Sequence, residues 1–364
     1  MSRGRVLVAM SGGVDSTVAA VLLQEAGYEV IGITLKTWDY ASSGGQRKET
    51  GCCNLDSIND ARQVAVERGF PHYIIDIRSE FGEFVIEDFI SEYLAGRTPN
   101  PCVLCNTHIK WAALLRRARQ MQCTHMATGH YAQLRQHGNR YVVAKGVDES
   151  KDQSYVLWGV AQEHLAMTLF PLGSYRKSQI RQLCLQWGYE SLARKSESYE
   201  ICFVPDNDYR GFLRRKVPGL DQQLAGGTFR DPSGRLLGSH EGYPFYTIGQ
   251  RKGLGVATGQ PMYVTAVDPE ANTVTLGPAD ALMRTRLIAR KINLQKMDRI
   301  PDGYRAHTKV RYRDPGTPSR LYQLDEQTVQ VEFDQPVKAV APGQSAVFYD
   351  GDELIGGGII WEAT

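Results

Sequence analysis

Three cysteines have the type and spacing needed for sulfur or metal chemistry. Cys102 and Cys105 stand three apart in the stretch TPNPCVLCN (98–106), and Cys202 follows much later in EICFV (200–204). A CxxC pair with a distant third thiol is compatible with half of a metal site, a redox pair or a sulfur-handling site. The two prolines are equally compatible with a tight turn. Taken alone, the stretch leaves these interpretations open.

A second chemical signal is the stretch SGGVDST (11–17) near the N-terminus. Its glycines let the backbone approach a ligand, and the following helix presents free N–H groups and a positive dipole end to an anion. Ser11, Ser16 and Thr17 add hydroxyl donors, and we expect Asp15 to position Mg²⁺ on the same phosphates. The chain contains no G-x-x-x-x-G-K-[ST] and no G-x-G-x-x-G after a strand, so neither a Walker loop nor a dinucleotide site is supported.

The elements that must position these residues alternate between strands and helices. Apolar runs predict strands, and periodic or capped patterns predict helices. The strands are 5–10, 29–35, 72–77 and 124–130, and the helices are 17–26, 54–69, 79–95 and 107–121. This alternation predicts an α/β doubly wound parallel sheet. Ligands bind such sheets beyond the carboxyl ends of the strands, an edge within reach of Ser11, Leu35, Cys102, Cys105 and Gly129.

The pattern changes in the second half of the chain. A hairpin is predicted at 131–145 and a helix at 175–188, and beyond about residue 206 short alternating segments between Gly and Pro replace the helices. We therefore predict three domains: the phosphate-loop domain at 1–206, a small central β-rich domain at 207–283, and a C-terminal β-barrel at 284–364.

Composition limits the cellular setting. Seven cysteines in 364 residues without a signal peptide argue against a disulfide framework, and no apolar run is long enough to span a membrane. We read Cys123 and Cys184 as packing residues. The expectation is a cytoplasmic protein, by default a monomer.

Basic residues concentrate in one segment of the predicted barrel. Residues 284–320 hold eleven Lys/Arg against three Asp/Glu, a balance of +8, whereas the whole chain is +2, so the remainder carries −6. This asymmetry favours a polyanionic partner, with nucleic acid the first candidate, although a solvated barrel surface gives the same count.

The motifs resemble those of a known family. SGGVDS resembles the pyrophosphate-binding loop of the ATP pyrophosphatases, which adenylate an oxygen and release pyrophosphate. Further stretches, in order along the chain, resemble the tRNA-specific 2-thiouridylases (the MnmA family): GRTPNPCVLCNTHIKW (96–111), ATGHYA (127–132), KDQSYVLW (151–158), EICFV (200–204) and IGQRKGLG (248–255).

The resemblance implies ATP-dependent 2-thiolation of the wobble uridine of tRNA, U34, with ATP and Mg²⁺ as cofactors. The implied partners are tRNA and a persulfide donor, either a sulfur-relay protein or a cysteine desulfurase. The chemistry is consistent: AMP transfer turns the uracil O2 into a leaving group, and a cysteine persulfide supplies sulfur that a second cysteine releases by thiol–disulfide exchange.

The resemblance also assigns roles to individual residues. Cys202 would be the persulfide carrier and Cys105 the nucleophile, and we expect a helix beginning at Cys105 to favour its thiolate. ATP contacts would be Ala9, Met10, Ser11, Gly12, Gly13, Val14, Asp15, Ser16, Leu35 and Gly129. The target base would be lined by Asn100, Pro101 and Cys102, and other tRNA contacts would be His130, Lys151, Asp152, Gln153, Arg311, Tyr312 and Gln344.

Cys102 departs from one version of the family pattern, in which an aspartate at this position is assigned proton transfer. The substitution allows a different hypothesis, a [4Fe–4S] cluster on Cys102, Cys105 and Cys202, since thiolates suit such clusters. Zinc would need a fourth ligand, from Cys52 or Cys53. We favour the persulfide route without a cluster.

Two other functions remain as alternatives. A small-molecule amide synthetase would share the ATP loop, but Cys105 and Cys202 would have no role in its reaction. A non-catalytic RNA-binding protein would keep the nucleotide fold without using it.

Overall fold

A computed structural model describes residues 2–38, 55–196, 201–204, 206–257 and 259–364. Two compact units are present. The first comprises Met1–Val85, Cys102–Asp208 and Asp352–Leu354, and the second comprises Ile86–Pro101, Tyr209–Gly351 and Ile355–Thr364. Within the described residues, no helix is both long and apolar enough to cross a membrane.

The helices and strands follow one another in the predicted order. As far as Arg194 they are β1 (Arg5–Ala9), α1 (Val14–Glu25), β2 (Glu29–Lys36), α2 (Leu55–Arg68), β3 (His72–Asp76), α3 (Arg78–Phe81), α4 (Glu87–Leu94), α5 (Pro101–Leu104), α6 (Leu114–Gln120), β4 (His125–Ala127), β5 (Ala132–His137), β6 (Arg140–Lys145), α7 (Gln162–Leu165), β7 (Thr168–Leu169), α8 (Lys177–Gln186) and α9 (Glu190–Arg194). The remainder are α10 (Tyr209–Lys216), α11 (Leu220–Gln223), β8 (Gly227–Arg230), β9 (Leu236–His240), β10 (Tyr263–Asp268), β11 (Thr273–Gly277), β12 (Met283–Leu294), β13 (Tyr304–Lys309), β14 (Thr317–Asp325), β15 (Thr328–Lys338), β16 (Ser345–Asp350) and β17 (Glu353–Ala363).

The first unit is built on the predicted parallel sheet. Its strands lie in the order β3-β2-β1-β4-β7, and each neighbouring pair is parallel. Val6, Leu7 and Val8 of the central strand β1 are completely buried, as expected of a strand covered on both faces. The strand order reverses between β1 and β4, so the loops after these two strands border the crevice where such sheets bind ligands.

The helical region around the cysteines differs from the prediction in its starting point. We predicted a loop as far as Asn106 and a helix from Thr107, but the chain is already helical from Pro101. Helix α5 leads into a π-helix at Cys105–Ala113 and then α6. A proline is favoured in the first turn because its missing N–H has no intrahelical partner there. Cys105 therefore does not begin the helix, and the dipole argument for its thiolate does not apply.

The second unit contains the predicted β-rich structures. Strands β10-β11-β8-β9 form one sheet, and β12-β15-β14-β13-β16-β17 form another that closes because β12 also pairs with β17. The barrel interior is filled by aliphatic and aromatic side chains, among them Leu287, Val331 and Phe348. Helices α10 and α11 precede the first of these sheets. The domain boundaries near residues 206 and 283 stay a prediction.

The barrel of the second unit also holds the segment that leads into α5. The Thr98 N–H donates to the Pro342 carbonyl at 2.8 Å. Gly343 has φ +89°, and a Cβ atom there would stand 2.8 Å from the Thr98 oxygen. Glycine is therefore required at 343 by both its backbone conformation and its contact with Thr98.

We predict that Gly343→Ala destabilises the protein more than Gly351→Ala. Both glycines have positive φ, but a Cβ at Gly351 meets no atom within 4 Å, so the pair isolates the collision with Thr98. The difference in free energy of unfolding should be roughly 1–3 kcal/mol, measured from the midpoint of denaturant unfolding. Equal midpoints for the two variants would show that the Thr98 contact relaxes without cost.

Candidate active site

The loop after β1 has the conformation of an anion site. Gly12 has φ +69°, and a Cβ atom there would lie 1.8 Å from the Ser57 carbonyl oxygen. Gly13 is the N-cap of α1 and is extended, and no side chain caps the helix. The N-terminal N–H groups of α1 are thus not occupied by a capping side chain, and they stand where a phosphate chain would accept their hydrogen bonds.

The hydroxyl groups of this loop divide into two kinds. The Ser16 Oγ accepts from the Ser11 N–H at 3.0 Å and donates to the Gly13 carbonyl at 3.1 Å, so it closes the loop internally. Thr17 is completely buried. Of the three hydroxyls that we expected to face a ligand, only Ser11 is exposed.

A second glycine brings another loop against the phosphate loop. A Cβ atom on Gly129, just after β4, would lie 2.9 Å from both the Asp15 carbonyl carbon and the Ser16 nitrogen. The absence of a side chain therefore lets the two loops pack backbone to backbone at the crevice. This contact gives Gly129 a steric role beside its predicted place near ATP.

Asp15 is held by a lysine that the sequence motif does not reveal. The Lys177 Nζ lies 2.7 and 2.8 Å from the two carboxylate oxygens of Asp15, and the Tyr131 hydroxyl donates to one of them at 2.6 Å. Lys177 is buried, so Asp15 neutralises a charge that would be costly alone. In this arrangement, binding Mg²⁺ through Asp15 would require the carboxylate to exchange its lysine for the ion.

A second lysine, Lys195, holds the backbone of the phosphate loop, although it lies far from that loop in sequence. The Lys195 Nζ donates to the Gly12 carbonyl at 3.0 Å, to the Ser57 Oγ at 3.0 Å and to the Asp60 carboxylate at 2.8 Å. It thereby ties the phosphate loop to the first turns of α2. Neither Lys177 nor Lys195 belongs to a recognisable motif, and only the fold places them here.

The ends of β1 and β2 are joined beside the loop. The Met10 N–H donates to the Ile33 carbonyl at 2.7 Å, and the Thr34 hydroxyl donates to the Met10 carbonyl at 2.7 Å. Leu35, which follows Thr34 in β2, is half-buried. Ala9, Met10 and Leu35 thus lie at the carboxyl edge of the sheet, where nucleotide contacts are expected.

Cys102 and Cys105 lie on one continuous helical run, in α5 and at the start of the π-helix. π-Helical turns occur frequently at functional sites. The Cys102 side chain is exposed and Cys105 is half-buried. Although solvent reaches Cys102, the protein atoms around its thiol raise its pKa, and the Lys110 ammonium opposes this only in part. Cys102 therefore remains a neutral thiol at pH 7 and does not reproduce the charge of an aspartate.

Cys202 lies on a short turn with firm anchors. The Val204 N–H donates to the Ile201 carbonyl at 2.9 Å. Phe203 and Val204 are buried, and the Phe203 ring meets Phe81 edge to face at 5.7 Å between centroids. Cys202 itself is exposed. The buried neighbours therefore anchor a turn on which the Cys202 thiol is accessible.

The described thiols are also potential metal ligands. In the described ranges, no three His, Cys, Asp or Glu side chains stand close enough together to hold an ion. The [4Fe–4S] cluster on Cys102, Cys105 and Cys202 stays a hypothesis for experiment. Cys52 and Cys53, the suggested zinc ligands, lie outside the described residues.

Several residues with predicted tRNA contacts also support loops. Asp152 accepts from the backbone N–H groups of Gly146 and Ser154, and Gln153 accepts from the Tyr131 N–H. In the second unit, the Gln344 amide donates to the carbonyls of Thr98 and Pro99 at 3.1 and 2.9 Å. Lys151 is half-buried, whereas Arg311 and Tyr312 are exposed.

His130 is buried beside the helix that carries the cysteines. Its Nδ1 lies 2.7 Å from the Thr128 hydroxyl, and its Nε2 lies 3.4 Å from the Lys110 Nζ. Burial and the Lys110 charge hold its pKa well below the usual value, so the ring is neutral. The lysine must donate to Nε2, which leaves the proton on Nδ1 for Thr128.

Asn100 and Pro101 are the last two residues of a sequence segment that belongs to the second unit. Pro101 is buried, and the Asn100 amide nitrogen lies 3.5 Å from the Ser345 hydroxyl. The barrel thus holds the residues that immediately precede Cys102.

Comparison with known proteins places these features in context. A family model described as "tRNA methyl transferase HUP domain" matches residues 4–206. A model described as "tRNA methyl transferase PRC-barrel domain" matches residues 212–278. A model described as "Aminomethyltransferase beta-barrel domain" matches residues 284–360. Among solved structures, an NMN synthetase from Francisella tularensis aligns with a TM-score of 0.33 and 16% identity over 61% of this chain and 72% of that chain.

Curated relatives match over nearly the whole chain. A protein named tRNA-specific 2-thiouridylase MnmA from Amoebophilus asiaticus is 60% identical, covering 99% of this chain and 96% of its own. Proteins of the same name from Cytophaga hutchinsonii and Salinibacter ruber are 58% and 54% identical, over 98% and 99% of this chain and 97% and 95% of theirs.

We predict that Gly12→Ala impairs use of ATP far more than Gly27→Ala. Both glycines have positive φ, but a Cβ on Gly27 finds its nearest neighbour at 3.9 Å, whereas one on Gly12 collides with Ser57. Because the loop must move to accept the methyl group, the KM for ATP in tRNA-dependent pyrophosphate release should rise by at least about tenfold. An unchanged KM in Gly12→Ala would mean that this loop does not bind the phosphates.

Proposed function

We propose roles for these residues on one premise: the chain belongs to the tRNA-specific 2-thiouridylase (MnmA) family. The enzyme catalyses 2-thiolation of the wobble uridine of tRNA, a sulfur transfer that consumes ATP. The observation that carries this conclusion is the identity of 54–60% along the entire chain with proteins of that name.

The first step is adenylation of the uracil. The O2 oxygen attacks the α-phosphorus of ATP, the uracil gives up its N3 proton, and pyrophosphate leaves. The loop at 11–16 and the N-terminus of α1 would bind the departing pyrophosphate through backbone N–H groups. Mg²⁺, when bound, would neutralise the same phosphates, and Asp15, the carboxylate of this loop, would hold it after exchanging Lys177 for the ion.

Lys177 and Lys195 give the loop its electrostatic setting. Each ammonium is paired with a carboxylate, Asp15 or Asp60 respectively, so the loop is held in place without a large net positive charge. The arrangement suits a site that must bind pyrophosphate and then release it.

Sulfur transfer then uses two cysteines. The terminal sulfur of a Cys202 persulfide attacks the uracil C2, and AMP leaves with the former O2 oxygen. This forms a C2–S–S–Cys202 disulfide. The Cys105 thiolate attacks the Cys202 sulfur, releases 2-thiouridine, and leaves a Cys105–Cys202 disulfide that an external dithiol reduces.

Cys102 has no group-transfer role in this sequence. Its raised pKa keeps it as a thiol, and we place it, with Asn100 and Pro101, against the target base. His130, Lys151, Asp152, Gln153, Arg311, Tyr312 and Gln344 would contact tRNA, either directly or through the loops that they hold. The sulfur donor would be a persulfide-carrying protein or a cysteine desulfurase. We infer a cytoplasmic monomer.

The family-model descriptions name methyl transfer, so that reaction is the second candidate. The ATP loop and the cysteine pair favour sulfur transfer, since methyl transfer needs neither pyrophosphate release nor a persulfide. Incubation of unmodified tRNA with ATP, Mg²⁺ and a small-molecule persulfide should yield 2-thiouridine on nucleoside mass analysis. A parallel incubation that also contains a sulfonium methyl donor should give no methylated uridine, and methylated uridine without thiouridine in that mixture would reject the proposal.

We predict that single Cys→Ala variants separate the persulfide route from a cluster. Cys105→Ala and Cys202→Ala should each lower 2-thiouridine formation more than about a hundredfold, because each removes a reacting sulfur, while tRNA-dependent pyrophosphate release persists. Cys102→Ala should lose less than about tenfold.

Anaerobic purification with iron and sulfide analysis provides the independent check. We expect no stoichiometric iron together with full activity from the persulfide donor. Bound iron that disappears in all three variants, with Cys102→Ala as inactive as the others, would establish the cluster instead.

A further inference from the structure

Trp361 is presented at the barrel surface by a β-bulge. Along β12 and β17, Ile288 is paired with Glu362 but the next residue, Ala289, is paired with Ile360, so Trp361 is the extra residue. Ile360 is completely buried, whereas the Trp361 side chain is 41% exposed. The extra residue lets both Trp361 and Glu362 lie on the outside of the strand, and an exposed indole contributes little to the barrel core.

Two guanidinium groups approach this ring. The Arg290 Cζ lies 4.4 Å from the Trp361 ring centroid and the Arg97 Cζ lies 5.2 Å from it. Glu92 fixes Arg97 through both of its carboxylate oxygens, while the Arg290 side chain is exposed. One cation is therefore tethered and the other stands at the surface. Cation–π contact alone is worth only about 0.5–1 kcal/mol at such a site.

The ring lies next to the segment that precedes Cys102. The Ile360 N–H donates to the Gln344 carbonyl at 2.7 Å, and the Gly343 N–H donates to the Ile360 carbonyl at 2.8 Å. The Gln344 side chain in turn holds Thr98 and Pro99. Arg97, which contacts the ring, directly precedes Thr98. Trp361 is thus connected by short hydrogen-bonded steps to the residues proposed to line the target base.

We propose that Trp361, with Arg97 and Arg290, is a stacking platform for a base of the tRNA substrate. This inference rests on the proposed function. The exposed Arg290 guanidinium would turn to a phosphate and leave the ring to the base, while the tethered Arg97 keeps the indole in place. Proteins commonly bind an unstacked base with an aromatic ring and nearby guanidinium groups. Strand β12, which carries Arg290, also carries Arg284, Arg286 and Lys291.

The platform is tested by measuring tRNA binding in the absence of ATP. The readout is the fluorescence anisotropy of an end-labelled, unmodified tRNA. Trp361→Ala should raise the Kd about tenfold, within the range expected for one stacked base, and Trp361→Phe should restore most of the affinity. Arg290→Gln should make the dependence of log Kd on log salt shallower by about one. Leu324→Ala, another exposed apolar residue of the barrel, should bind as the unaltered protein does.

Thiolation kinetics with a small-molecule persulfide complete the test. The loss in Trp361→Ala should fall on the KM for tRNA more than on kcat. Unchanged tRNA affinity in Trp361→Ala overturns the platform, as does a defect that appears only when a protein supplies the sulfur, because the surface would then bind that protein. If Trp361→Ala fails to fold, Trp361→Leu, which keeps an apolar side chain without a ring, and Arg290→Gln decide, and unaltered binding in both overturns the proposal.

Failure of the proposed function would look different. Binding of tRNA that depends on Trp361, without formation of 2-thiouridine by the unaltered protein, would leave the platform standing and remove the thiolation reaction.

Discussion

The phosphate site depends on backbone packed against backbone. Gly12 lies against the Ser57 carbonyl and Gly129 lies against the Asp15–Ser16 peptide, and neither position has room for a Cβ atom. These contacts bring the loop after β1, the loop after β4 and the start of α2 together at the reversal of strand order. Because the loop shape is imposed from both sides, the N–H groups of α1 are oriented before any phosphate arrives, and binding needs little reorganisation.

Two lysine side chains also hold the phosphate loop through ion pairs and hydrogen bonds. Lys177 reaches Asp15 from the start of α8, and Lys195 reaches the Gly12 carbonyl from the end of α9. The buried Lys177 ammonium would be unstable without a partner, so it makes a carboxylate at Asp15 important. Lys195 is only half-buried, and its pairing with Asp60 mainly orients it toward the loop. Lys195 also begins the stretch that leads to Cys202. One of the residues that hold the loop therefore lies only a few positions before the proposed persulfide carrier.

The second unit holds the chain segment that precedes Cys102. The turn at 342–344 holds the Thr98–Pro99 backbone, and the Trp361 bulge is hydrogen-bonded to the same turn. Pro101 then starts the helix that carries Cys102 and Cys105. Within the second unit, the barrel thus holds the backbone of the segment that ends at Pro101. These backbone contacts explain the residue types at Gly343, Gln344 and Pro101, which charge alone would not require.

The sequence by itself determined the parallel sheet, the phosphate loop, the cysteine pair and the β-rich second half, because hydrophobic periodicity and short motifs are local properties of the chain. It also pointed to the family through stretches in a fixed order. Tertiary structure alone decided what depends on distant partners: Lys177 and Lys195 at the loop, the helix that begins at Pro101 rather than Thr107, and the raised pKa of Cys102. It also decided that Trp361 faces outward. Ion pairing, burial and a bulge in strand register are set by residues far apart in sequence, so no local pattern records them.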